Sequence, residues 1–524
     1  MSNRCEEDNF LNKETTGKRM LLTAGFMAAA TLAAKVLGLV RDSLIAAFFA
    51  TGMQADAFMA ASKLPTTLFD MVVGGVISAT FIPVFNDVIT KEDKDSAVKF
   101  ANKFVTMILM ITVIISLFGI IFADPLVNMI APNYTGDKHA LTVQLTSIMF
   151  PMIIFTGLAF SFVGLLQSFG EYNVPSIISL VSNLAIIIYF VLFGKKFGVT
   201  GLAVTMVIAW SLQVAVQIPS LVKFKYRYKP DFRLRDKHIK QALLLAGPML
   251  ISTWVQPLYT IINSRLASGI DGAYSALEYA NRLYIIVTGV FSFVVTNLIF
   301  PKLSKANASE DKEEAHTLVM TSIKGIALII LPLMAGFMIL SRPVTSIIYE
   351  HGKFTADQAA AVSGALSCYS VGMFGLAVNE ILSKTFFSMQ DSRTPMINSI
   401  ISMVFNIVLA YVLFNFLHIN GLALAAAGGS ICNAVLNGVC LAKKYPDMMR
   451  KSDFSGIFKI VLAALVMAAA VFALYRLLSP VLTGFIGNIA LCAVCGAAGV
   501  IVYGIMVLVL RVEEIQKIIH KNRT

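Results

Sequence analysis

The chain has 524 residues, 57% of them hydrophobic and only 14% charged, with a formal net charge of +12. Soluble globular proteins carry about 25% charged residues, so this composition, with a mean hydropathy of +0.77, excludes an ordinary soluble enzyme. It points to an all-α polytopic membrane protein. The first 19 residues are polar, and the apolar run "FMAAATLAAKVLG" that follows continues into more helix-forming residues. With no polar mature start, it reads as an uncleaved first span rather than a signal peptide. Fourteen spans follow in order, with approximate edges 21–50, 55–86, 101–123, 140–169, 173–194, 198–222, 241–268, 273–301, 316–340, 356–388, 394–416, 419–442, 455–476 and 482–510.

Loop charge orients the spans. With the N-terminus inside, the inner segments hold 29 Lys and Arg and the outer loops 6, which puts both termini in the cytoplasm. The densest basic segment is "KFKYRYKPDFRLRDKHIK", 223–240. Topogenic retention and attraction to anionic lipid are its default reading, so the basic pI is not taken as a sign of nucleic-acid binding.

An internal repeat is visible. "LLQSFGEYNVP" (165–175) and "FGVTGLAV" (197–204) recur 220 residues later as "TFFSMQDSRTP" (385–395) and "LHINGLAL" (417–424), with Pro175 matching Pro395. The offset joins an even number of spans, so the halves share an orientation, as in parallel transporter repeats. Chance recurrence of short Gly/Pro loop signals is the competing reading. The expected organisation is an N-lobe at 1–222, a basic linker at 223–240, a C-lobe at 241–442, and two added spans with a tail at 443–524. Two six-helix lobes would surround a central cavity. Most of the six cysteines fall in apolar helix, and the pair Cys492 and Cys495 lacks nearby ligands, so these thiols read as structural rather than redox or metal-binding.

Charge inside the bilayer is costly, roughly 2.5–3.5 kcal/mol per residue on insertion scales, and marks functional positions. At 1.5 Å per residue, Arg41 in span 1, Lys63 in span 2 and Arg282 in span 8 all lie roughly 12–14 Å below the outer ends of their helices. Asp56, Lys63 and Asp70 are spaced by seven and form one stripe, while Lys35 and Asp42, also seven apart, share a face of span 1. Plainer readings stand beside these. Asp56 at a helix end suits an N-cap, Glu278 and Arg282 suit an i,i+4 pair, and Lys384 near an inner end suits snorkelling. A modest cationic excess suits an anionic ligand, with Arg matching phosphate oxygens through its planar fork. The sequence has no Walker loop, HExxH or nucleophile elbow, and no soluble segment long enough for a catalytic core, so transport is favoured over catalysis.

The segment "KVLGLVRDSLIAAFFATGMQADAFMAASKLPTTLFDMVVGGVISATFIPVF" (35–85) resembles the opening of MurJ-type lipid II flippases, the mouse-virulence-factor branch of the MATE-like exporter superfamily. "EYANRLYIIVTGVFSFVVTNLIFPKLSK" (278–305) and "FFSMQDSRTP" (386–395) extend the resemblance. It implies inner-to-outer movement of an undecaprenyl-pyrophosphate-linked peptidoglycan precursor in a bacterial cytoplasmic membrane by alternating access. It further implies pyrophosphate binding by Arg41, Arg282 and Lys63 with Lys35 assisting, and a paired role for Asp42 and Asp56; the placement of charges adds Asp70 and Glu278 to these as cavity acids or gating groups. Lys384 would lie at a portal, and the last two spans would form a groove for the lipid tail. The chain departs from some relatives at Phe69, where they carry a further arginine, and at Gly74, where they carry an acid. Asn263 and Asn406, the nearest candidates for a sodium site, are amides. No cofactor is expected, and coupling to sodium or protons stays open. The chain reads as a monomer among membrane lipids, with cell-wall synthesis or division proteins as candidate partners. A flippase for another lipid-linked polysaccharide, a MATE-like exporter and a non-transporting envelope scaffold are the alternatives. An exporter of cationic drugs would need an acidic cavity, and a scaffold has no use for the charged stripes.

Overall fold

A computed structural model describes residues 2–512 apart from 75, 76, 254, 295–298, 310, 451 and 452, together with 514 and 516. All regular structure among the described residues is helical, as a chain in hydrocarbon requires if each segment is to satisfy its own backbone polar groups. Among the described residues, eight helices are long and apolar enough to cross a membrane, or nine if Ala356–Ser370 and Met373–Ser388, bent by 42°, form one span. The chain divides into two compact units, Met1–Ile45 with Ala57–Leu258, and Ala46–Asp56 with Tyr259–Thr524.

The first unit begins with α1 (Ser2–Phe49) and α2 (Met53–Phe69), and α2 runs on through two π-helical segments, Asp70–Gly74 and Ile77–Phe81. After them come α3 (Ile82–Lys91), α4 (Lys94–Ile121), α5 (Ala123–Ile130), α6 (Gly136–Met149), α7 (Met152–Ser168), α8 (Asn173–Leu192), α9 (Gly194–Ala215), α10 (Ile218–Lys223) and α11 (Lys237–Thr253). Asp93 caps α4 by accepting from the Ser96 amide at 2.6 Å. Phe81, Phe85, Phe100 and Phe104 are buried and form an aromatic core with centroids 4.9–5.9 Å apart. The basic linker is an ordered strap leading into α11. That helix, expected to open the C-lobe, belongs to the first unit because it packs on the π-helical segments, α3 and α4.

The second unit contains α12 (Val255–Ala267) from Tyr259 on, α13 (Ala273–Val294), α14 (Phe300–Ala308), α15 (Lys312–Tyr349), α16 (Ala356–Ser370), α17 (Met373–Ser388), α18 (Arg393–Lys444), α19 (Phe454–Leu478) and α20 (Gly484–Val509). α16 starts at a capping box, Thr355 with Gln358. The 52 residues of α18 break at His418, between predicted spans 11 and 12. α19 and α20 pack on α15 through Leu331, Ile460, Ala463, Met467, Val471 and Leu491.

The 220-residue offset recurs in backbone conformation. Gly170 and Gln390 have φ of 82° and 60°, and Gly198 and His418 have φ of 56° and 48°. Glu171 and Asp391 each accept amides at the start of the next helix, from Asn173 and Thr394. Gln217 bonds the Ala159 carbonyl, and Asn437, at the matching position, bonds Asn379. Two sequences that differ at most positions therefore break, turn and cross-link at the same places.

Candidate functional site

In the first unit the site is built on α1 and α8. Arg41 folds back on its neighbour, its Nε and Nη2 donating to Asp42 Oδ1 at 3.0 and 2.8 Å. Its Nη1 donates to Asn183 Oδ1 at 2.9 Å, and Asn183 Nδ2 donates to the Ala34 carbonyl at 3.0 Å. Gly38 lies beside this bridge, and a Cβ there would meet Asn183 Nδ2 at 3.6 Å, an ordinary van der Waals contact. The Arg41 and Asp42 side chains are 16% and 5% exposed. A charge so deeply placed is tolerable only when paired and hydrogen-bonded, and these contacts use three of the five guanidinium donors. Asp42 is thus a positioning group for Arg41. Asn183 does the same work and is a residue the sequence reading missed, since an asparagine in an apolar helix carries no periodic signal.

Lys35 and Lys63 are half-buried in the same unit. Asp70 opens the first π-helical segment and lies in the electrostatic field of Lys63. Asp56 and Lys63 lie seven residues apart on the continuous α2, Asp70 follows at its end, and the Ala46–Asp56 tip is grouped with the second unit.

There Asp56 is fully buried. Its Oδ2 accepts from the Gly272 amide at 2.9 Å, and its Oδ1 accepts from the amide and hydroxyl of Ser275 at 2.9 and 2.7 Å. It therefore caps α13 from 216 residues away, taking up orphan amides at the positive end of the helix dipole. The rest of the Ala46–Asp56 tip is seated by backbone carbonyls. Tyr279 Oη donates to Ala50 O at 3.1 Å, and the Lys353 amide donates to Ala47 O at 2.9 Å. Gly272, at φ +75°, would put a Cβ 2.4 Å from Thr51 O, so this close approach needs glycine.

Along α13, Tyr274, Glu278 and Arg282 follow at intervals of four, and Tyr274 lies in the field of both charged groups. Tyr259 on α12 lies within hydrogen-bonding reach of Asn263, one turn on, and of Asn406 on α18. Asn406 is buried and donates to the Ala425 carbonyl at 2.7 Å. Tyr284 and Tyr369 stand with ring centroids 5.7 Å apart, and Tyr284 reaches Ser430. The second unit thus gathers Glu278, Asn263 and Asn406 among tyrosines that the charge-based reading passed over. Lys384 is half-buried near the C-terminal end of α17, its ammonium 5.5 Å from the Phe300 ring centre and 5.9 Å from that of Phe387, so aromatic faces hold it. Lys324 pairs with Glu514 at 3.5 Å. Among the described residues no group of three or more His, Cys, Asp and Glu side chains could hold a metal ion.

Comparison with known proteins adds to this geometry. A family model described as lipid II flippase MurJ matches residues 45–492. The chain is 29% identical over 404 residues to a probable lipid II flippase MurJ of Rickettsia prowazekii, covering 76% of this chain and 80% of that one. It is 28% identical over 460 residues to the lipid II flippase MurJ of Burkholderia cenocepacia, covering 86% and 88%. Among solved structures, it shares its fold with a lipid II flippase MurJ in an inward closed conformation, with TM-score 0.79 and 23% identity over 93% of this chain and 98% of that one. A multidrug-resistance MATE transporter in an inward-facing conformation matches with TM-score 0.66 and 16% identity over 79% and 96%.

Proposed function

We propose a transport function from one premise: this chain belongs to the lipid II flippase MurJ family, whose model spans residues 45–492. On that premise it is a multi-pass bacterial membrane protein that carries lipid II from the inner to the outer leaflet by alternating access, breaking no covalent bond. The family match carries this reading, and the anchored guanidinium of Arg41 supports its chemistry. A pyrophosphate presents several charged oxygens, and a fork held in place by Asp42 and Asn183 can meet them without first being ordered. Arg282, Lys63 and Lys35 complete the cationic set. Asp42, Asp70 and Glu278 serve as partners that the cations take back when substrate leaves.

The hairpin tip gives alternating access a place to act. α1 and α2 belong to the first unit up to Ile45 and from Ala57, while the tip between them is part of the second. The distribution of Lys and Arg supports cytoplasmic termini. Arg41→Ala and Arg282→Ala should each fail to support growth of a bacterium depleted of its own lipid II flippase, with normal protein level in the membrane. Full rescue by both variants overturns the substrate-binding assignment.

A further inference from the structure

Residues 224–236 run from α10 to α11 without helix beyond an initial turn, yet they are fastened along their length. Tyr226 is 2% exposed and donates to Asn102 Oδ1 at 2.9 Å, and the Lys229 amide reaches the same oxygen at 3.3 Å. Thr106 Oγ1 bonds the Tyr228 hydroxyl at 2.9 Å and accepts from the Asp231 amide at 3.1 Å. Asp236 is held by Lys103 at 2.6 Å, and the next residue, Lys237, pairs with Glu92 at 2.6 Å. The strap thus turns its tyrosines and one of its two acids toward α3 and α4. Outward it shows Lys225, Arg227, Lys229, Arg233 and Arg235, with Phe232 among them at 70% exposure.

Topogenic retention alone requires positive charge and no fixed shape. A segment pinned at five places, with its cations and one phenylalanine left exposed, is a built surface. Its position suggests what it meets. On α10, Ile218 and Val222, one turn apart, are 50% and 52% exposed, an apolar face for lipid that ends where the strap begins. Cations at that boundary lie within the short range over which anionic headgroups attract them, and an aromatic ring among them suits insertion at the headgroup level. We propose that 224–236 is a docking surface for the anionic phospholipid headgroups of the surrounding bilayer, with Phe232 inserted between them. This assignment rests on the first unit alone and not on the transported substrate.

The test uses the full chain in lipid nanodiscs, with Phe232→Trp as reporter in a background where Trp210 and Trp254 are replaced by Phe. Should that background fold poorly, the reporter signal is taken as the difference from the wild-type chain. Quenching by lipids brominated near the headgroup should rise about twofold when roughly a third of the zwitterionic lipid is replaced by anionic lipid. The rise should fade in about 0.5 M salt. It should be lost when Lys225, Arg227, Lys229, Arg233 and Arg235 are all changed to Gln. Quenching that is absent, equal in both lipids, or retained in the fivefold variant overturns the proposal. So does a reporter that ignores lipid and responds only to an added acidic protein.

Discussion

Removing Asp42 should separate what its carboxylate does for the fold from what Arg41 does for transport. Asp42→Asn leaves the Arg41 guanidinium, 16% exposed, with Asn183 but without the carboxylate oxygen that took two of its donors. Breaking a buried pair by removing one partner costs about 3–5 kcal/mol, or about two to four orders of magnitude in the folded-to-unfolded ratio. Arg41→Gln should also destabilise, because it removes the guanidinium from the 5% exposed carboxylate. Changing both residues leaves neutral amides that can still bond each other and Asn183, so the double variant should return to within about 1 kcal/mol of the parent. Reversible unfolding in mixed micelles gives the three stabilities, and growth support in a flippase-depleted strain gives function. The double variant is expected to be stable and inactive. A double variant as unstable as either single one, or an Asp42→Asn chain as stable as the parent, would refute the reasoning.

Other outcomes follow from the same structure. Asp56→Ala should remove the cap on α13 and speed hydrogen exchange at the Gly272 and Ser275 amides at least tenfold; unchanged exchange there would contradict the cap. His418→Gly should raise stability by about 1 kcal/mol by relieving a backbone conformation suited to glycine, while Gly198→Ala at the matching position should lower it by about 1–3 kcal/mol; thermal melts of the purified chain decide this. Burial pushes the Asp236 carboxyl up, but the Lys103 ammonium and the His238 amide outweigh it and hold the group below its ordinary 3.8. A depressed carboxyl contributes stability that is present above 3.8 and lost as pH falls through the lower folded-state value. Protection of 224–236 from proteolysis by an acid-active protease should therefore hold near pH 5 and fail below about 3.8, and Asp236→Asn should flatten that step.

Much of this arrangement is legible in the sequence, and the exceptions have physical causes. Long apolar runs report helices directly because hydrocarbon leaves the backbone no alternative, and turn residues at a fixed offset report the repeat because a positive φ constrains residue type. Local periodicity correctly puts Glu278 and Arg282 on one side of α13. It does not reveal that Asp56 caps a helix remote in sequence, while Asp70, which opens a π-helical segment, lies in the field of Lys63 as the spacing expects. Asn183 acts through a partner on another helix, and Tyr259 reaches Asn406 on α18 as well as Asn263 on its own helix, so spacing along one helix does not reveal these roles. The strap reads as a charge run in sequence, and only its hydrogen bonds to Asn102 and Thr106 show that it has a fixed inner side.

The most direct test of the central claim is lipid II translocation in proteoliposomes, with substrate on one leaflet and an impermeant probe of the other. The account expects rapid equilibration with the parent chain and none above protein-free vesicles with Arg41→Ala at equal reconstitution. No movement with the parent chain, or equal movement with Arg41→Ala, would contradict it.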